Sequence, residues 1–140
     1  MFGPIHHVGY LALDLEAAIQ QFTKTFGLRV VRRFDRPQFS LQGAFLGTEE
    51  AGQIEVFTFT DPDLLARRLA GSSLLLEHVA FAVDDIEGTA LALRHAGVRF
   101  SGPDLRDEVH EPIHLGHNRH LWTFPETSCG QSIQILDTGQ

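Results

Sequence analysis

Cysteine is nearly absent: Cys129 is the only one in 140 residues, so no internal disulfide can hold the chain together. A lone thiol fits a reducing compartment. Long apolar runs are missing too, and none approaches the roughly 20 residues a membrane span needs. The opening "MFGPIHHVGY" lacks a basic end followed by an apolar stretch, so no signal peptide is expected there. Positive charge is not in excess. The formal net charge is −7, with acids and bases mixed along the chain, which argues against nucleic acid as a partner. It says little about a small anionic ligand, which feels only its local pocket. No tract is of low complexity. These absences predict a soluble, cytoplasmic protein with no membrane or nucleic-acid partner. A hydrophobic content of 43% is enough for a sizeable core, in one domain or two small fused modules.

What is present is an internal repeat. "HVGYLALDLEAA" from His7 aligns with "HVAFAVDDIEGT" from His78, and both stretches run on to a glycine, Gly27 or Gly97. Phe45 precedes Glu55 by the same ten residues that separate Phe124 from Gln134. Each half opens on a strand of β-branched, aromatic and small residues. An aspartate able to cap a helix follows, Asp14 or Asp85. Leu15, Ala18, Ile19, Phe22 and Phe26 form one helical stripe, and Ile86, Thr89, Ala90 and Leu93 another. About three strand-like runs come next in each half: "RVVRRF", "SLQGAFLG" and "QIEVFTF", then the regions of "RFSG", "HLWTF" and "SIQILD". The expected fold is α+β: two tandem βαβββ modules, about 4–60 and 75–138, forming a curved, partly open mixed β-sheet with helices on its outer face. The segment of about 61–74, containing "DPDLLARRLAGSS", reads as a linker with a short helix or turn.

Alternation along the strands assigns faces. Val8, Tyr10 and Ala12 turn toward the helix, leaving His7, Gly9 and Leu11 opposite; Val79, Phe81 and Val83 do the same, leaving His78, Ala80 and Ala82. Glu55 and Gln134 hold matching places in the last strand of each half. Singly, each has an ordinary reading: a hydrogen-bonded core histidine, a solvent-facing glutamate, an amide capping buried backbone. As two repeat-related pairs they form a mixed nitrogen and oxygen donor set suited to a divalent Mn, Fe, Co, Ni or Zn ion.

The paired modules, the strand-start histidines, "IEV" and the ending "WTFPETSCGQSIQI" resemble the vicinal-oxygen-chelate superfamily. That superfamily includes glyoxalase I, extradiol dioxygenases, bleomycin- and fosfomycin-resistance proteins and methylmalonyl-CoA epimerase. The resemblance covers nearly the whole chain as one domain and is nearest to epimerase-like members, through "IHHVG", "EHVAFAVDDIE" and "PETSCGQSIQI". It implies metal ligands at His7, Glu55, His78 and Gln134, and a cavity formed by the two halves. In the epimerase pattern, however, the last ligand is a glutamate that also moves protons, and a second catalytic glutamate precedes the third strand. Gln134 and Gln38 stand at those positions. An amide can coordinate through its oxygen but cannot take a proton at neutral pH, whereas epimerisation needs an acid and a base.

The resemblance therefore implies a metal-dependent isomerase or lyase acting on a small substrate with adjacent oxygens, and not a literal methylmalonyl-CoA epimerase. An Fe(II) dioxygenase and a non-catalytic resistance-type binding protein are the alternatives. Gln134 serves as ligand and, with His120, as a catalytic candidate; Gln38 and Trp122 are candidates for substrate contact. The substrate is expected to be a thioester or other anionic compound, and the assembly a homodimer. "HEPIHLGHNRH" gathers His110, Glu111, His114, His117 and His120 as an exposed cluster, a second metal site, or a source of one acid/base. Arg32, Arg33 and Arg36 read as a solvated strand face or an anion attractor, and Cys129 as a turn residue.

Overall fold

The computed structural model describes residues 2–48 and 52–139. The described residues form nine strands and three α-helices: β1 Ile5–Ala12, α1 Leu15–Gln20, β2 Arg29–Arg36, β3 Leu41–Gly47, β4 Ile54–Phe59, α2 Pro62–Leu69, β5 Leu74–Ala82, α3 Ile86–His95, β6 Phe100–Ser101, β7 Ile113–Leu115, β8 Asn118–Thr123 and β9 Ser132–Asp137. Contacts divide the chain into two compact units, residues 7–77 and residues 1–6 with 78–140. The fold is α+β, with a mixed, open set of strands in each unit.

In the unit 7–77 the strand order is β2-β3-β4-β1. β2 and β4 run antiparallel to β3, and β1 runs parallel to β4. The Asp14 side chain accepts from the Ala17 N–H at 3.1 Å and starts α1. Leu15, Ala18, Ile19 and Phe22 then pack on Ala12, Leu46 and Val56, as their spacing predicts. Phe26 departs from that stripe and is exposed. The helix widens into a π turn over Gln21–Thr25, and the extra residue per turn rotates position 26 out of line. The opposite face has its own cluster: Leu11, Leu41, Phe57 and Phe59 pack with Leu64 and Leu69 of α2. The expected linker is thus a capped helix that seals one end of this face. Asp61 accepts from the Asp63 and Leu64 N–H groups, and Pro62 stands in the first turn.

In the other unit the order is β5-β9-β8-β6, with β7 paired to β8. β5 and β9 are parallel; the remaining pairs are antiparallel. Asp85 caps α3 by accepting from the Gly88 N–H at 3.0 Å. The stripe Ile86, Ala90 and Leu93 packs on Val83, Phe100, Leu121 and Ile135. Gly97, at φ +96°, closes the helix: its N–H donates to the Arg94 carbonyl and that of Val98 to the Leu93 carbonyl. β7 adds a strand to the expected count. Leu115 pairs with Asn118 across Gly116 and His117, and Gly116 has φ +65°, the pattern of a tight hairpin turn that needs glycine first. Residues 3 and 4 also belong to this unit. The Gly3 N–H donates to the Ala82 carbonyl at 2.7 Å, the Ala82 N–H donates to the Pro4 carbonyl at 3.0 Å, and Phe2 stacks on Phe81.

Candidate functional site

Each unit carries one row of side chains running across its strands on the face away from the α1 or α3 helix. In the unit 7–77 the row is set by register: Gly9 lies beside Glu55, Glu55 beside Phe45, and Phe45 beside Arg32. His7 stands two residues before Gly9 and therefore on the same face. It is buried, and its Nε2 lies 3.8 Å from Glu55 Oε1. That separation is too long for a hydrogen bond. It suits two donor atoms sharing an ion, each at about 2.0–2.2 Å from it. The Phe45 ring meets His7 edge-on at 5.2 Å and holds the imidazole plane. Gly43, two residues before Phe45, is covered by Phe34; a Cβ there would lie 2.5 Å from the end of that ring.

In the other unit the row reads Ala80, Gln134, Trp122, Ser101. His78 stands two residues before Ala80, matching His7 and Gly9, and is also buried. Gln134 is 3% exposed. Its Nε2 donates to His120 Nδ1 at 2.7 Å, which places the proton of a neutral His120 on Nε2. The His120 ring stacks on Trp122 with centroids 5.5 Å apart. Gln134 Oε1 has no hydrogen-bond partner among the described residues. An unsatisfied buried carbonyl costs about 1–3 kcal/mol.

The repeated spacing of ten residues is not a structural match. Phe45 pairs with Glu55, but Gln134 pairs with Trp122, not Phe124. The 3-10 turn Pro125–Thr127 and Gly130 lengthen the β8–β9 connection, and Phe124 falls outside β8. Trp122, a sequence candidate for substrate contact, is therefore the true counterpart of Phe45. The histidine cluster also separates. His110, Glu111, His114 and His117 are exposed, whereas His120 alone is buried. Among the described residues none of these five belongs to a group of three candidate ligand side chains. Gln38 lies exposed in the 3-10 turn Pro37–Phe39. His7 and His78 are buried and Glu55 half-buried, so each expected ligand outside the amide offers an atom withdrawn from bulk water.

Arg32, Arg33 and Arg36 of β2 divide by parity. Arg33 lies opposite the row and grips Glu16 with two hydrogen bonds, 2.7 and 3.1 Å, whereas Arg32 lies over Phe45. Sequence reasoning treated the three as one group; strand alternation was the signal that separates them. Beyond the row, Arg119 joins β8, β9 and α3 by bonding Asp137 at 2.6 Å and also Glu87. The Gly139 N–H and then Arg119 hold the Asp137 carboxyl below the usual carboxylate range.

Residues 6–112 match the family model described as the Glyoxalase/Bleomycin resistance protein/Dioxygenase superfamily. The search of curated proteins gave no match. Among solved structures, methylmalonyl-CoA epimerase from Mycobacterium tuberculosis is similar with a TM-score of 0.82 at 20% identity, over 99% of this chain and 90% of that one. A selenomethionyl methylmalonyl-CoA epimerase is 26% identical with a TM-score of 0.79, over 100% and 98%. A variant of the Streptomyces coelicolor enzyme in complex with 2-nitronate-propionyl-CoA is 21% identical with a TM-score of 0.80, over 100% of both chains. These likenesses show the fold.

Proposed function

Because this chain belongs to the glyoxalase/bleomycin resistance protein/dioxygenase superfamily, we propose that it is a divalent-metal-dependent isomerase or lyase, a single catalytic domain in which His7, Glu55, His78 and Gln134 hold the ion. The observation that carries this reading is the buried Gln134 Oε1 with no partner among the described residues. A carbonyl oxygen is a competent ligand for Mn, Fe, Co, Ni or Zn beside imidazole and carboxylate, so the residues fit the group. When bound, the ion supplies Lewis-acid polarisation of one of two adjacent substrate oxygens.

The remaining chemistry belongs to the chain. Two neutral imidazoles, one carboxylate and one amide leave a divalent site with a formal charge of about +1, which favours an anionic oxygen ligand. His120 orients the Gln134 amide, and with its proton on Nε2 it enters the reaction as a donor rather than a base. Trp122 walls the row and keeps water off it. The relatives bound to a CoA thioester analogue support a thioester or other anionic substrate. Gln134 and Gln38 cannot take a proton, so rapid α-proton exchange on methylmalonyl-CoA is not expected. That missing pair of bases also favours one further reading, a binding protein of the resistance type without turnover.

The reading includes a cytoplasmic homodimer, checked by light scattering. Its main test is metal analysis of protein purified without a tag. About one ion per chain is expected, and His7→Ala or His78→Ala should each abolish stoichiometric binding. Full metal retention by either variant rejects the site.

A further inference from the structure

Three of the four arginines of β2, Arg32, Arg33 and Arg36, meet three different surroundings. Arg33, on the helix side, is neutralised by Glu16, whose carboxyl is held below its usual range while Arg33 is held above its own. Arg32 and Arg36 fall on the other face, that of Phe45 and Glu55. The Arg32 guanidinium lies 4.2 Å over the centroid of Phe45, and this ring contact is its only interaction among the described residues. Among the described residues Arg36 donates only to the Asp35 carbonyl, at 3.4 Å, and neither arginine meets a described carboxylate. A guanidinium seated on an aromatic face is held by the ring quadrupole, and its planar fork stays available to a two-oxygen acceptor. Register puts Arg32 two strands from Glu55, about 10 Å between backbones at the usual strand spacing.

We infer that Arg32, reinforced by the charge of Arg36, is an anion subsite that takes the carboxylate or phosphate oxygens of the substrate. The inference rests on the metal-site reading and names its substrate class. The substrate is an acid whose anionic group is set off from its reacting oxygens by about the width of one residue. Arg33 takes no part, because its fork is already filled by Glu16.

The test is calorimetric titration of metal-free protein at low ionic strength with malonate and, separately, inorganic phosphate. Arg32→Gln should weaken the tighter of the two at least tenfold. Arg32→Lys should weaken it less, since the charge remains and the fork is lost. Arg33→Gln should leave it unchanged. Tighter malonate assigns a carboxylate, and tighter phosphate a phosphate ester; either supports the subsite. Three results overturn it: no binding of either anion by wild type, equal binding by wild type and Arg32→Gln, or an equal loss in Arg33→Gln. Arg32 is exposed, so its variants should keep the wild-type melting temperature. Metal uptake is measured on the same proteins. Normal uptake by Arg32→Gln with anion binding lost isolates the subsite. No uptake by wild type, with anion binding intact, rejects the metal reading and leaves the anion subsite standing.

Discussion

The two halves of the chain build the same row of residues and finish it differently. One runs Gly9, Glu55, Phe45, Arg32; the other runs Ala80, Gln134, Trp122, Ser101. Next to the aromatic member, the first half has Gly43 covered by Phe34, and the second has His120 bonded to Gln134. At the outer edge the first half presents a guanidinium with no acidic partner among the described residues, and the second a serine whose hydroxyl is satisfied by the Gly102 carbonyl at 2.8 Å. The first half keeps charge of both signs, while the second replaces it with neutral groups that bond one another. The same backbone therefore offers a charged, open-edged half and a neutral, internally bonded one. Their amino-acid differences, rather than the fold, must decide what the site accepts.

Making the halves alike should have the largest effect. Glu55→Gln turns both into amide rows and removes the only carboxylate among the proposed ligands. Affinity for Mn or Co should fall by about a hundredfold or more, read by titration calorimetry. Unchanged affinity would remove Glu55 from the ligand set.

The opposite symmetrisation, Gln134→Glu, keeps volume and shape. It should tighten metal about tenfold and weaken anionic ligands, because a second carboxylate cancels the net positive charge. Gln134→Leu should lower metal affinity and change the metal-free melting temperature little, because it deletes a buried carbonyl with no partner among the described residues but also the amide that donates to His120 Nδ1. If neither variant changes metal affinity, Gln134 is a structural residue and the halves differ more deeply than proposed.

His120→Phe removes what the first half lacks at Gly43, while keeping an aromatic ring against Trp122. It leaves the Gln134 Nε2 unsatisfied, so the metal-free protein should lose about 1–2 kcal/mol by urea denaturation. Metal affinity should fall only severalfold, since the amide oxygen remains. His120→Asn, which can still accept from the amide, should recover part of both.

The smallest effect is acid sensitivity confined to the second half. The Asp137 carboxyl is held low first by the Gly139 N–H and then by Arg119. A depressed folded pKa contributes stability that is complete above the unfolded value of about 3.9 and is lost as pH falls through the folded value. The melting temperature of wild type should therefore drop below about pH 4, and Asp137→Asn should lack that part of the slope. Identical slopes would show that other carboxylates set the acid limit.

Much of this was legible in the sequence because strands expose their pattern in a period of two. His7, Gly9 and Leu11 share a face as expected, as do His78 and Ala80, and Asp14 and Asp85 cap the helices they precede. The failures arose where local backbone altered the count. The π turn put Phe26 into solvent, and the longer β8–β9 turn made Trp122, not Phe124, the neighbour of Gln134. The hairpin at Gly116 added a strand, β7, that the sequence reading did not count. The Gln134–His120 bond joins side chains 14 residues apart whose strand register no propensity reveals. α2 reads in sequence as a short helix or turn within a linker; Leu64 and Leu69 matter through where they pack.

The hydrogen bonds that Ala82 exchanges with Gly3 and Pro4 bear on how the gene can be cut. Only the unit 7–77 is one uninterrupted stretch of coding sequence; the other is split, because the first six residues are counted with 78–140. A fragment expressed from residue 78 onward would start without two backbone hydrogen bonds and the Phe2 ring that covers Phe81. Supplying residues 2–6 as a separate peptide should restore them in part. An affinity tag fused at either end would likewise press on the split unit, because both ends of the chain are counted with it, and metal work calls for protein freed of its tag.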